Sequence, residues 1–223
     1  MQRTDFKTQF LHQLNNVELP LDERLHIAHG ALISQEFPLP GKEQVIIDWF
    51  AHCLKVNSSH PKGTMKKLIK CMKSDRLLTF CDAVDASKLV EVCIELDEDI
   101  KHRYSKLLVK LVLLLLKMPS FQRYCRFDIL PMTQVMGLAC DLFSRMDGSG
   151  VSLDDSTATE SDEDLVTTGL EDLFSSILNI HKVTQQRDEL KLRFVKTILP
   201  AILKLRFHLK NSTQFHILLE ELI

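Results

Sequence analysis

Glycine and proline are scarce, with seven of each in 223 residues, and the glycine share is less than half of ordinary usage. A turn-rich β-barrel or a glycine-rich nucleotide fold needs more of both, so the composition points to helices. Catalytic motifs are absent too: there is no Walker A loop, no GxGxxG, no HExxH, no GxSxG and no kinase signature. GKEQ at Gly41 lacks both the glycine spacing and the Ser/Thr that would hold magnesium. None of the six cysteines (Cys53, Cys71, Cys81, Cys93, Cys125, Cys140) forms a CxxC pair. Most sit among apolar residues at helical spacing, which fits reduced, buried thiols and an intracellular protein rather than a disulfide framework. The longest apolar run, Leu107 to Leu116, reads LLVKLVLLLL and is interrupted by Lys110. A bilayer needs about 20 apolar residues, so this is a buried helix and no membrane span is expected. MQRTDFKTQFLHQL at the start has neither the apolar core nor the cleavage site of a signal peptide.

What the chain does contain is ordinary globular material, 45% apolar and 26% charged, enough for one or two domains that bury roughly two-thirds of the unfolded surface. Helical periodicity recurs almost throughout. Phe6, Phe10, Leu11 and Leu14 share one face, as do Leu25, Ile27, Ala28, Ala31 and Leu32. A PLPG turn at Pro38 to Gly41 leads into Val45, Ile46, Trp49, Phe50 and Cys53. Met65, Leu68, Ile69 and Met72 then repeat the i, i+3, i+4, i+7 spacing of a helix packed on a core. Short helices are expected over 75–82, 87–96 and 121–126. Asp97 reads as the N-cap of one long helix to Met118, with Glu98 and Asp99 in its first turn. Pro131 starts another that reaches Met146.

Residues 147–164, DGSGVSLDDSTATESDED, contain no lysine, arginine or aromatic residue and read as an acidic flexible insert. Helices resume over 165–183, over 185–210 with a kink or break near Pro200, and over 212–223. The expected organisation is a helical repeat region over 1–146, the insert over 147–164, and C-terminal helices over 165–223 packing on the same core. Antiparallel helix pairs of about 35–45 residues resemble the HEAT and armadillo repeats in architecture, without their consensus residues. That resemblance implies an all-α, irregular α-solenoid. The competing arrangement is an orthogonal bundle around the Leu107–Leu116 helix. The ending LLEELI points to a C-terminal docking surface or to the N-terminal part of a longer chain.

Placing Asp147 at the third position of an EF-hand loop puts Arg145 first and Ser156 twelfth, which excludes calcium. His26 and His29 are three apart on one helix face, but no third ligand follows in sequence, so they read as surface histidines. Cys53 and His52 point about 100° apart and cannot work as nucleophile and base. No metal, cofactor or small-molecule substrate is expected.

Charge carries more information. Residues 147–172 hold nine acids and no base, leaving 28 basic against 21 acidic residues elsewhere, a charge of +7. Lys62, Lys66, Lys70 and Lys73 line one helical face, flanked by Lys67 and Arg76. A second candidate face is Arg187, Lys191, Arg193 and Lys196. Either suits phosphate groups or an acidic partner, but aromatic residues for stacking bases are missing. Ser152, Thr157, Thr159 and Ser161 each have an acid three residues later, the pattern acid-directed kinases read. Five Ser/Thr–Gln pairs (at Thr8, Ser34, Thr133, Thr184 and Thr213) match checkpoint-kinase preference and tilt the expected location from cytoplasm to nucleus. Phe215, Ile217, Leu218 and Leu222 make a candidate docking helix. The leading expectation is a non-enzymatic helical scaffold binding other proteins in a multi-subunit assembly. The alternative is a nucleic-acid-binding helical protein of chromosome maintenance or RNA processing. A helical enzyme regulator acting through one exposed arginine or glutamine ranks third.

Overall fold

A computed structural model of the chain describes residues 2–34, 36–56, 61–73, 84–118, 130–146, 162–185, 187–205 and 213–223. These residues form eleven α-helices and no strand, so the fold is all-α. They divide into two compact units, Met1–Glu95 and Leu96–Ile223. The helices expected over 75–82 and 121–126 lie outside the described residues.

The first unit contains α1 (Gln2–Asn15), α2 (Leu21–Ile33), α3 (Lys42–Val56), α4 (Pro61–Met72) and α5 (Ser87–Glu95). Helix α2 packs on α1, α3 and α4, while α3 packs on α4 and α5. The stripes read from sequence face inward: Leu25, Leu32, Ile46, Phe50, Met65 and Leu68 are all buried, each contributing about 1.5–3 kcal/mol of apolar transfer. Asp22 and Glu23 occupy the first turn of α2, where carboxylates oppose the positive end of the helix dipole. The PLPG turn is present, and Gly41 supplies the left-handed φ of 70° that other residues avoid. Lys42, the residue after it, is only 5% exposed. Its Nζ reaches back to the carbonyls of Ala31 (2.9 Å) and Ser34, and lies 5.7 Å from the Phe37 ring centroid. A buried cation thus satisfies the orphan carbonyls at the end of α2. Gln44 clamps the residues before α5, donating to Asp85 O at 2.9 Å and accepting from Asp85 N at 2.7 Å.

The second unit contains α6 (Glu98–Arg103), α7 (Ser105–Lys117), α8 (Leu130–Met146), α9 (Asp162–Thr184), α10 (Asp188–Lys204) and α11 (Thr213–Leu222). Helix α7 is the apolar run; it packs on α6, α8 and α9, and α9 in turn packs on α8, α10 and α11. Leu108, Val109, Leu111, Val112, Leu115 and Leu116 are buried, so the helix that is apolar nearly all round is covered nearly all round. Close approach of α9 depends on Gly169: a Cβ there would lie 2.8 Å from Phe143 Cζ and 3.2 Å from Leu113 Cδ1.

Two helices differ from the sequence expectation. The single helix from Asp97 to Met118 is two, broken at Tyr104, whose φ of −118° and ψ of 26° leave the helical region. Asp97 does stand at the N-cap position of α6, but its side chain makes no capping hydrogen bond. Conversely, α10 runs through Pro200 without a break. Pro200 is exposed, and having no N–H it leaves the Lys196 carbonyl without its helical donor.

Candidate functional site

The first unit carries two surface features with binding chemistry. One is a groove of about 550 Å³ lined from α1, α2, α3 and the link after α1. Trp49 forms part of it, held by Nε1 donating to Asn15 Oδ1 at 3.2 Å. Leu11 and Val45 also line it, and Val17 (86% exposed) and Val56 (60%) stand open at its margin. Its polar lining is mainly basic: Lys7, Arg24 and His52 against one acid, Asp48. That acid is already engaged by Gln44 Nε2 at 3.0 Å and by Lys88 Nζ at 3.4 Å. Arg24 donates from Nη1 to Leu14 O at 3.4 Å, while its Nε is buried with no hydrogen-bond partner among the described residues. Cys53 at the groove is pushed up to about 11 by burial, against the pull of Arg24, so it is a packing thiol. His52 beside it is exposed, so the two side chains part as the helix geometry requires.

The other feature is the α2–α4 seam. On α4, Lys66, Lys70 and Lys73 are exposed and Lys62 and Lys67 half-buried, while Met65, Leu68, Ile69 and Met72 face the core. The stripe Lys62, Lys66, Lys70 and Lys73 covers roughly 80° of arc at about 100° per residue. Arg76 lies outside the described residues. Across the seam, Lys67 Nζ donates to His26 Nδ1 at 3.1 Å. His29 is held below its ordinary imidazole value by burial first, then by Lys70, Lys67 and His26. Sequence reading found the lysines and the histidines separately. It missed their convergence, which exists only once α2 packs on α4.

The second basic group does not form one face. Arg187 precedes α10, and Arg187, Lys191, Arg193 and Lys196 are all exposed. By helix geometry Lys191 lies over the azimuth of Phe194 and Ile198, and Arg193 and Lys196 turn to the other side. Lys191 instead acts on buried His181, helping burial to hold that imidazole below its ordinary value, with Glu221 opposing. In the candidate docking helix, Phe215, Leu218 and Leu222 are buried and only Ile217 is exposed, at 48%. Phe215 lies 6.2 Å from Phe174 of α9, so this helix spends its apolar face on its own unit. Ser152, Thr157, Thr159 and Ser161 lie outside the described residues.

Cys71 and Cys140, like Cys53, are raised by burial, both to about 12, which suits inert core thiols. Among the described residues no group of three or more His, Cys, Asp or Glu is placed to hold a metal ion. Among them, too, no helix is long and apolar enough to cross a membrane. No family model, curated protein or solved structure matches this chain.

Proposed function

We propose that the chain is a non-enzymatic helical scaffold that binds other proteins within a larger intracellular, nuclear or cytoplasmic, assembly. In this reading its antiparallel helices are arranged as an irregular solenoid of HEAT or armadillo type, the architecture that offers grooves between helices. The observation that carries the reading is the groove beside Trp49. An apolar wall with Val17 and Val56 open at its margin, next to three basic groups and one engaged acid, is complementary to an amphipathic helical segment bearing carboxylates. Its apolar side would cover Trp49 and Val56, and its carboxylates would meet Lys7, Arg24 and His52. The partly desolvated Arg24 guanidinium favours such a partner, because a charged hydrogen bond there replaces one that water supplies poorly.

The test is affinity purification of the tagged chain from cells after nuclease treatment, run beside the variant Val17→Glu/Val56→Glu. Stoichiometric protein partners that survive nuclease and are lost from the variant are the expected result. Partners retained by a variant whose helicity is unchanged would contradict the groove assignment, and partners lost with the nucleic acid would contradict the scaffold reading.

A further inference from the structure

The seam between α2 and α4 brings four basic side chains together from two helices. Lys67 Nζ and His26 Nδ1 are 3.1 Å apart, and His29 feels Lys70, Lys67 and His26 at once. Among the described residues no carboxylate pairs with Lys67 or Lys70, and no acid is among the groups acting on His29. The two ammonium groups of Lys67 and Lys70 repel each other, and the two imidazoles beside them supply no negative charge to offset that. Elsewhere in the unit Lys55 faces Glu95 and Lys88 faces Asp48.

We propose that His26 and His29 of α2, with Lys67 and Lys70 of α4, form a phosphate site that takes a phosphoserine or phosphothreonine presented by a partner protein. The proposal rests on the protein-binding reading above and adds the modification that this partner carries. Concentration of charge selects the ligand: a phosphomonoester brings about −1.5 to −2 to one point, matching a seam where Lys67 and His26 touch and Lys70 and His29 act on one another. A nucleic-acid strand spreads single charges along its length and is gripped by stacking as well. Neither α2 nor α4 contains Phe, Tyr or Trp. The lysine ammonium groups donate, as does the Nε2–H of His26 while its Nδ1 accepts from Lys67, and the His29 ring donates once protonated, so each can meet a phosphate oxygen. Binding there would favour the imidazolium form of His29, opposing the burial and the lysines that now disfavour it.

The experiment uses the full 223-residue chain, titrated with a phosphoserine peptide, its unphosphorylated twin, and short single-stranded and duplex oligonucleotides. Binding is followed by fluorescence anisotropy, and the His29 ring by NMR across pH. The phosphopeptide is expected to bind at least about tenfold more tightly than its twin, and to raise the His29 titration midpoint. Lys67→Gln/Lys70→Gln, with helicity verified by circular dichroism, is expected to lose both effects, while Arg193→Glu/Lys196→Glu keeps them. Equal binding of the twin, tighter binding of either oligonucleotide, or an unmoved His29 midpoint would overturn the phosphate site. Loss of partners from Val17→Glu/Val56→Glu, together with an unmoved His29 midpoint, would leave the scaffold reading standing and remove the phosphate site alone.

Discussion

Both units pair cations with acids across helices, as Lys55 with Glu95 and Lys88 with Asp48 in the first, but the first also sets basic groups beside one another. In Leu96–Ile223, cations are matched to acids across helix seams: Lys117 meets Asp172 at 2.7 Å, Lys204 meets Asp141 at 2.6 Å and Arg145 meets Glu98 at 2.5 Å. These pairs link α7 to α9, α10 to α8 and α8 to α6. In Met1–Glu95 the α2–α4 seam sets lysine against histidine, and the groove collects three basic groups around one occupied acid. Exposed ion pairs contribute only about 0–1 kcal/mol each, so the contrast says little about which unit is more stable. It separates charge that holds helices together from charge left for a ligand.

The largest expected effect asks whether the units have separate cores. Leu111→Ala, at a position with 0% exposure in α7, should cost about 2–5 kcal/mol. Hydrogen exchange should show the loss in α7–α9 with α2–α4 protected as before; equal loss in both would break the division. Lys42→Met removes the cation from the carbonyls at the end of α2 and should cost about 1–3 kcal/mol, read as a lower denaturation midpoint. An unchanged midpoint would mean that water serves those carbonyls equally well.

Glycine to alanine should change sign between the units. Gly169→Ala meets Phe143 in a packed core and should lose about 1–2 kcal/mol net of the helix-propensity gain. Gly30→Ala has nothing within 4 Å and should gain up to about 1 kcal/mol. Thermal melts of the two variants decide it. The smallest effect concerns acid. Burial keeps His181 below its ordinary value, so the unfolded chain binds more protons between the folded value and about pH 6.5. The second unit should therefore keep full stability above about pH 6.5 and lose it as pH falls below. His181→Leu should flatten that slope, and an unaltered slope would remove His181 as its source.

Helix positions were largely legible, because stripes such as Met65, Leu68, Ile69 and Met72 state both the period and the buried side. The break at Tyr104 was not, since it involves one residue's dihedrals and no proline or glycine marks it. Pro200 misled in the other direction: its effect depends on whether the freed carbonyl meets water, a property of tertiary placement. Lys42 looked like any lysine opening a helix, and only the return of α2 gives it carbonyl partners. Arg193 and Lys196 could have been separated from Lys191 by angular arithmetic alone. The groove had no linear signal, because Leu11, Val17, Arg24 and Trp49 come from three helices and a link.

The most direct test of unneutralised charge in the first unit is hydrogen exchange of the full chain in phosphate against chloride at equal ionic strength. Phosphate strengthens burial everywhere as a kosmotrope, so the quantity to read is the difference between units. The account predicts an added gain of protection in α2 and α4, from binding to the folded state, beyond that in α7, α8 and α9. An equal gain in both units would contradict it.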